Sequence, residues 1–260
     1  MISKATLEVQ KLFNECGITD PLEMPIETIV SSKNLLLKEE KLEGCDGRIL
    51  MKGDSGIITI NSNIEFITKK RFAIAHELGH FLLHRNKKII FNDDEEVFLN
   101  WYQEKFSKEE IEANEFAAEF LMPTSLFQKE CSGKKFDPNI IDSLADRFQI
   151  SKTAAILRFV KYGNHPVCVV YCRDNKLKWF KPSDDFKYFL EFQRDAPPPE
   201  DSVAFELFTS ANKYFGDERK QQIWKSTWFR MRDDEENTKF YEFCLFAKSY
   251  NYSLSVIWEN

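Results

Sequence analysis

The sequence RFAIAHELGHFLLHR, residues 71–85, contains three of the four histidines in this chain of 260 residues. His76 and His80 are four residues apart, and Glu77 directly follows the first of them. Side chains four residues apart on an α-helix lie above one another on one face, about 5.4 Å apart along the axis. If this stretch is helical, two imidazole groups therefore face the same point.

This histidine helix is apolar on nearly every side except the arc that carries its ionisable groups. A helix of this kind is buried, and a buried polar arc needs hydrogen-bonding or metal partners. The order of residues matches the HExxH pattern of zinc enzymes, in which the glutamate is a general base and not a ligand. The pattern predicts His76 and His80 as zinc ligands and Glu77 as the base. The alternative is a chance match on an ordinary helix.

A catalytic zinc site needs a third protein ligand, and the one remaining histidine, His165, lies far along the chain. A helical wheel over residues 107–122, SKEEIEANEFAAEFLM, places Glu110 and Asn114 on the apolar arc. A carboxylate that points into a core is costly unless it is paired or binds a metal, which makes Glu110 the candidate third ligand. The alternative is that Glu110 only completes an S-x-x-E capping box with Ser107.

The same wheel places Glu112, Glu115 and Glu119 together on a solvent-facing side of the helix. Two carboxylates separated by one residue cannot both turn toward one ion. We therefore expect loss of the Glu112 carboxylate to leave metal binding nearly unchanged.

Other features near the motif have structural and functional interpretations. Arg71, His84 and Tyr102 are candidate oxyanion donors, each with a structural alternative. Gly79 in mid-helix costs about 1 kcal/mol relative to alanine, which indicates a closely packed neighbour. The strand IITIN, residues 57–61, is the expected neighbour, and as an edge strand it could hold an extended substrate.

Composition limits the class of protein. A hydrophobic content of 43% supports a substantial core, and a net charge of −6 argues against a strongly nucleic-acid-binding surface. The six cysteines are scattered, which is typical of a reducing compartment. No apolar run is long enough to span a membrane, and the first 25 residues mix charges throughout, which is not the pattern expected of a signal peptide. We expect a cytoplasmic location and no membrane partner.

The patterns predict an α+β fold in three parts. A peptidase domain, 1–135, combines the histidine helix with a small antiparallel sheet formed by residues 46–61. Residues 136–164 resemble a helix-turn-helix. Residues 165–260 form an α/β domain. Within this last domain, we predict a hairpin turned at residues 174–175 and strands at STWFRMR (226–232), FYEFCLFAK (240–248) and YSLSVIW (252–258).

The helix-turn-helix-like segment has two interpretations. Lys152, Arg158 and Lys161 lie on or near its second helix, where they could contact DNA weakly. The alternative is a helical hairpin that packs against the peptidase, which the acidic composition favours. A regulator that binds DNA or protein without peptidase activity, with a structural metal site, is therefore the second functional hypothesis.

The two helical motifs, RFAIAHELGHFLLH and EIEANEFAAEFLMP, together resemble the ImmA/IrrE family of metallopeptidases. The resemblance extends over roughly residues 5 to 165. It implies a zincin-like fold, one zinc ion or another divalent transition metal per chain, and a cytoplasmic protein. His76, His80 and Glu110 would be the ligands, Glu77 the base, and Asn114 a support behind a ligand.

The same resemblance implies a function. Family members cleave a helix-turn-helix transcriptional repressor and so start a stress response or release a mobile element. The partner expected here is a repressor encoded nearby. In some relatives a sensor-like domain follows the peptidase, which suggests a sensor or substrate-recruitment role for residues 165–260.

Overall fold

The computed structural model describes residues 2–85, 91–92, 107–210 and 218–259. The chain forms two compact units, Met1–Glu130 with Leu144–Ser151, and Cys131–Ser143 with Lys152–Asn260. The three-part division expected from the sequence stays a prediction. No helix within the described residues combines the length and the apolar content that are needed to cross a bilayer.

The first unit combines helices with a β-sheet. Its elements are α1 (Lys4–Cys16), α2 (Ile26–Ser32), β1 (Leu35–Glu40), β2 (Gly47–Lys52), β3 (Ser55–Asn61), α3 (Ile67–His84), β4 (Phe91–Asn92), α4 (Lys108–Leu121) and α5 (Thr124–Cys131). Ser3 caps the start of the N-terminal helix, where its hydroxyl oxygen accepts a hydrogen bond from Thr6 N. The helix ends at Gly17, which has a φ of 66°. A glycine adopts this left-handed conformation without steric cost. Gly17 therefore ends the helix.

The sheet of the first unit is mixed, and the predicted antiparallel sheet is corrected in this respect. The described strands have the order β1-β3-β2-β4. As predicted, β2 and β3 form an antiparallel hairpin, but β1 pairs with β3 in parallel. The sequence of β1, LLLKEE, is charged in its second half and lacks the alternation of a half-buried strand. Because β3 has β1 and β2 on its two sides, it is not an edge that could hold a substrate.

The histidine helix α3 is buried along most of its length. It packs against α4 and against β2 and β3. Gly79 faces α4, since a Cβ atom at this position would lie 3.0 Å from Phe116 Cδ1. The sequence interpretation expected a strand as the close neighbour of Gly79, and this expectation is wrong. The absence of a side chain lets the two helices that carry the candidate ligands approach closely.

The second unit contains an antiparallel sheet and short helices. Helix α6 (Pro138–Phe148) has residues in both units. The other elements of the second unit are α7 (Lys152–Tyr162), β5 (Cys168–Arg173), β6 (Lys176–Pro182), α8 (Val203–Ser210), β7 (Glu218–Trp224), α9 (Lys225–Trp228), β8 (Lys239–Ala247) and β9 (Tyr252–Glu259). The described strands have the order β6-β5-β9-β8-β7, and all paired neighbours are antiparallel. Asp174 and Asn175 turn the predicted hairpin with φ values of 54° and 57°.

One predicted strand of this unit is corrected. Residues 226–232, STWFRMR, are not a strand, because Lys225–Trp228 is a short helix and Phe229 makes only an isolated bridge with Leu190. The strand lies earlier, in ERKQQIW, which is mostly polar and pairs with β8. The strands predicted at 240–248 and 252–258 are confirmed within one residue at each end, as β8 and β9.

A buried carboxylate connects the helix and sheet of the second unit. Glu242 on β8 is fully buried, and its oxygens accept from Val203 N and Ala204 N at the start of α8, at 3.0 Å each. They also accept from Trp228 Nε1 at 2.9 Å and from Ser255 Oγ at 2.7 Å. Burial raises the pKa of Glu242. Four donors nevertheless satisfy both oxygens of the carboxyl group and hold α8 and α9 against the sheet.

We expect Glu242→Ala to lower the free energy of unfolding by at least about 3 kcal/mol, because several buried donors lose their acceptor. Urea denaturation followed by tryptophan fluorescence measures this change. The exposed Glu236 provides the matched control, and Glu236→Ala should unfold like the wild type. An unchanged unfolding midpoint for Glu242→Ala would show that the carboxylate does not anchor α8.

Candidate metal centre

Three side chains from α3 and α4 converge on one point. His76 Nε2 and His80 Nε2 lie 2.8 Å apart. Glu110 Oε2 lies 3.2 Å from the first nitrogen, and Glu110 Oε1 lies 3.3 Å from the second. Two tetrahedral ligand atoms about 2.0–2.1 Å from one zinc ion are roughly 3.3–3.4 Å apart. The three side chains therefore have a spacing close to that of ligands to a single ion of this class.

The protonation pattern of the histidines also fits a cation. Asn114 Oδ1 lies 2.9 Å from His76 Nδ1, and an amide oxygen only accepts, so this nitrogen carries a proton. In the neutral imidazole, Nε2 then presents a lone pair. Burial lowers the pKa of His80 from 6.5 to about 4, which keeps this imidazole neutral at physiological pH. Two neutral nitrogens and a carboxylate that face one another repel unless a cation lies between them.

The carboxylate of Glu110 is directed at the two histidines and not back along its own helix. Ser107 Oγ accepts from Glu110 N at 3.3 Å, so Ser107 caps α4 as the sequence indicates. The Ser107 cap uses the backbone N–H of Glu110, whereas the carboxylate, which a capping box would turn back to Ser107, faces the histidines.

The predicted solvent face of α4 is wrong for two of its three glutamates. The side chain of Glu112 is only 19% exposed, and its Oε2 lies 2.9 Å from His84 Nε2. Glu119 is buried and accepts from Thr124 N and Thr124 Oγ1 at 3.0 and 2.7 Å. A wheel treats the helix alone, whereas α4 contacts both α1 and α3 and is followed at once by α5. His84, one turn beyond His80, was the signal in the sequence for a partner near Glu112.

Glu77, the candidate base, is fully buried beside strand β2. A Cβ atom at Gly47 would lie 2.9 Å from Glu77 Oε1 and 3.2 Å from Glu77 Cγ. Any side chain at Gly47 would therefore displace the carboxylate. The sequence shows a glycine at the start of a strand but does not show that it adjoins the motif.

We expect Gly47→Ala to reduce hydrolysis by roughly 10²-fold, because a shift of about 1 Å in a catalytic group can have an effect of this size. Zinc content should stay at the wild-type level, since Gly47 does not adjoin the proposed ligands. The double variant Gly47→Ala/Glu77→Gln tests whether Gly47→Ala acts through Glu77. Its rate of hydrolysis should be no lower than that of Glu77→Gln alone. Full activity of Gly47→Ala would mean that Glu77 tolerates the displacement.

The candidate oxyanion donors have other contacts or lie outside the described residues. Arg71 Nη1 donates to the carbonyl oxygens of Phe148 and Gln149 at 3.1 Å each and so ties α3 to the end of α6. His84 contacts Glu112, as described above. Tyr102 lies outside the residues that the structure describes. The contacts of Arg71 and His84 therefore fit the structural interpretation of these two residues.

The basic residues of the helix-turn-helix-like segment are partly engaged within the protein. Helices α6 and α7 are joined by residues 149–151. Lys152 Nζ pairs with Asp142 Oδ1 at 2.8 Å. Arg158 is buried, and its guanidinium lies 4.3 Å from the centre of the Tyr162 ring. Only Lys161 of the three is exposed, so this segment offers little positive surface to DNA.

Comparisons with known proteins identify a family and a similar fold. Residues 31–160, half of the chain, match the family model Peptidase_M78, described as the IrrE N-terminal-like domain. The matched region contains both α3 and α4. No curated protein matches the sequence. A solved structure described as a Mycobacterium tuberculosis transcriptional regulator is similar over 99% of this chain and 77% of that chain, with a TM-score of 0.61 and 14% sequence identity. At this identity the similarity concerns the fold.

Proposed function

Because the chain belongs to the Peptidase_M78 family of IrrE N-terminal-like domains, we propose that it is a zinc-dependent endopeptidase that cleaves a regulatory protein. The observation that carries the proposal is the convergence of His76, His80 and Glu110 at 2.8–3.3 Å, next in sequence to a buried glutamate. The chemistry of this donor set, two imidazoles and one carboxylate, is that of catalytic zinc sites with one open position.

The residues of the chain have separate roles in the proposed reaction. His76, His80 and Glu110 hold the ion, and Asn114 fixes the ring of His76 by accepting from its Nδ1. When bound, the ion supplies Lewis acidity, which polarises a peptide carbonyl and lowers the pKa of a water molecule toward about 7. Glu77 accepts a proton from the attacking water and then donates it to the nitrogen of the departing amine. The burial of Glu77 limits its exchange of protons with bulk solvent.

The proposed substrate is a helix-turn-helix transcriptional repressor encoded near this gene. Support comes from the family and from the resemblance of the two motifs to ImmA/IrrE peptidases. Cleavage of such a repressor would start a stress response or mobilise an element in the cytoplasm. Residues 165–260, which contain the antiparallel sheet of five described strands, are proposed to act in sensing or in substrate recruitment.

The proposal is tested by incubating the protein with the adjacent repressor and following intact masses by mass spectrometry. We expect one discrete cut that disappears with a chelator and returns when zinc is added. Specific DNA binding that survives removal of metal, without any cut in the repressor, would instead support the regulator without peptidase activity.

A further inference from the structure

We propose that Glu112 and His84 form a positioning relay that holds His80 in its metal-binding orientation, an inference that rests on the proposed zinc site. The relay is a chain of two contacts. Glu112 Oε2 lies 2.9 Å from His84 Nε2, and His84 Nδ1 lies 3.2 Å from His80 Nδ1. The far nitrogen of His80, Nε2, is the one that faces His76 and Glu110.

The direction of each hydrogen bond follows from the carboxylate. An ionised carboxylate only accepts, so His84 must donate from Nε2. In neutral His84 the other nitrogen, Nδ1, is then an acceptor, and it accepts from His80 Nδ1. His80 consequently has its proton on Nδ1 and its lone pair on Nε2, which is the tautomer that a metal ligand needs. The acceptor Glu112 thus determines which nitrogen of His84 is protonated, and His84 in turn determines which nitrogen of His80 is protonated.

Two lysines lie near the carboxylate of Glu112, one on its own helix and one on α1. Lys108 Nζ lies 3.6 Å from Glu112 Oε1 within α4, and Lys4 Nζ of α1 lies 3.9 Å from Glu112 Oε2. Lys4 Nζ also donates to Leu83 O at 3.0 Å, next to His84. The relay therefore lies where α1, α3 and α4 meet, with His84 buried and Glu112 near the surface.

The two histidines of the site are supported in equivalent ways. His76 Nδ1 donates to Asn114 Oδ1, and His80 Nδ1 donates to His84 Nδ1. Replacing a residue that orients a metal-binding histidine typically lowers metal affinity or activity by roughly 10–100-fold. The helical wheel predicted that loss of the Glu112 carboxylate would leave metal binding nearly unchanged. From the contact with His84 we instead expect a moderate loss of zinc affinity.

The test compares zinc affinity among four variants by competition with a chromophoric chelator. We expect His84→Leu to weaken zinc binding by about 10–100-fold, because it removes the acceptor for His80 Nδ1. His84→Asn places an amide oxygen near the lost nitrogen and should restore most of the affinity. Glu112→Gln should weaken binding less than His84→Leu, since an amide oxygen can still accept. Glu115→Gln, on the same helix, is the control and should bind zinc like the wild type.

A second measurement does not need the metal. Nitrogen chemical shifts of the zinc-free protein report which ring nitrogen of His80 carries the proton. We expect Nδ1–H in the wild type and in His84→Asn, and a mixture of tautomers in His84→Leu. The same pattern in all three proteins, or equal zinc affinities for His84→Leu and the wild type, would overturn the relay. Absence of zinc binding or of repressor cleavage in the wild type would instead reject the proposed function.

Discussion

Replacing Glu77 with glutamine is expected to reduce repressor cleavage by at least about 10²–10⁴-fold, the range typical for a general acid–base group. Glutamine has nearly the same shape, so the fold and the buried position beside Gly47 should be retained. It cannot accept a proton from water at neutral pH. Cleavage is measured as the initial rate of appearance of the repressor fragments.

The zinc content of Glu77→Gln distinguishes a base from a ligand. We expect wild-type zinc content and an unchanged thermal unfolding midpoint, because Glu77 is not among the three side chains that converge. The variant should also retain its affinity for the uncut repressor. Equal cleavage rates for variant and wild type would remove Glu77 from the mechanism, and loss of zinc together with activity would make it a ligand.

Replacing Glu110 with glutamine is expected to weaken zinc binding by more than the roughly 10–100-fold estimated for residues that stand behind ligands. The substitution removes the negative charge whose oxygens lie 3.2 and 3.3 Å from the histidine nitrogens. A neutral amide is a poorer ligand for a divalent cation. Chelator competition and metal analysis after dialysis both measure the change.

Two comparisons make the Glu110 experiment specific. Glu115→Gln removes a carboxylate from the same helix and should leave zinc affinity unchanged. A purely structural capping role for Glu110 gives a different expectation, because glutamine serves at the third helical position as well as glutamate does. Wild-type zinc affinity in Glu110→Gln would therefore support the capping role alone and remove Glu110 from the ligands.

The fold was predictable where the pattern was local. The β2–β3 hairpin, the turn at Asp174 and Asn175, and helix α3 follow from alternation, turn residues and helical periodicity. The parallel pairing of β1 with β3 was not predictable, because pairing order depends on contacts distant in sequence. The stretch STWFRMR predicts a strand, whereas its Trp228 is a helical residue that donates to a buried carboxylate on β8.

The candidate site residues could be predicted where the periodicity of a single helix shows which side chains face inward. Helical geometry selected His76 and His80 on α3, and the helical wheel selected Glu110 over Glu112 on α4. The structure places these three side chains near one another, and their role as ligands stays a prediction. The proximity of Gly47 to Glu77 and of Glu112 to His84 depends on how separate elements pack. A wheel contains no information about neighbouring elements, and for this reason it assigned Glu112 to solvent.

Titration of zinc into metal-stripped protein, with repressor cleavage followed at each addition, tests most directly whether one zinc ion at this site makes the chain a peptidase. We predict no cleavage without metal, a linear rise in rate, and saturation at about one zinc per chain, as a single three-ligand site requires. Full cleavage by the metal-free protein, or saturation with zinc without any cleavage, would contradict the account.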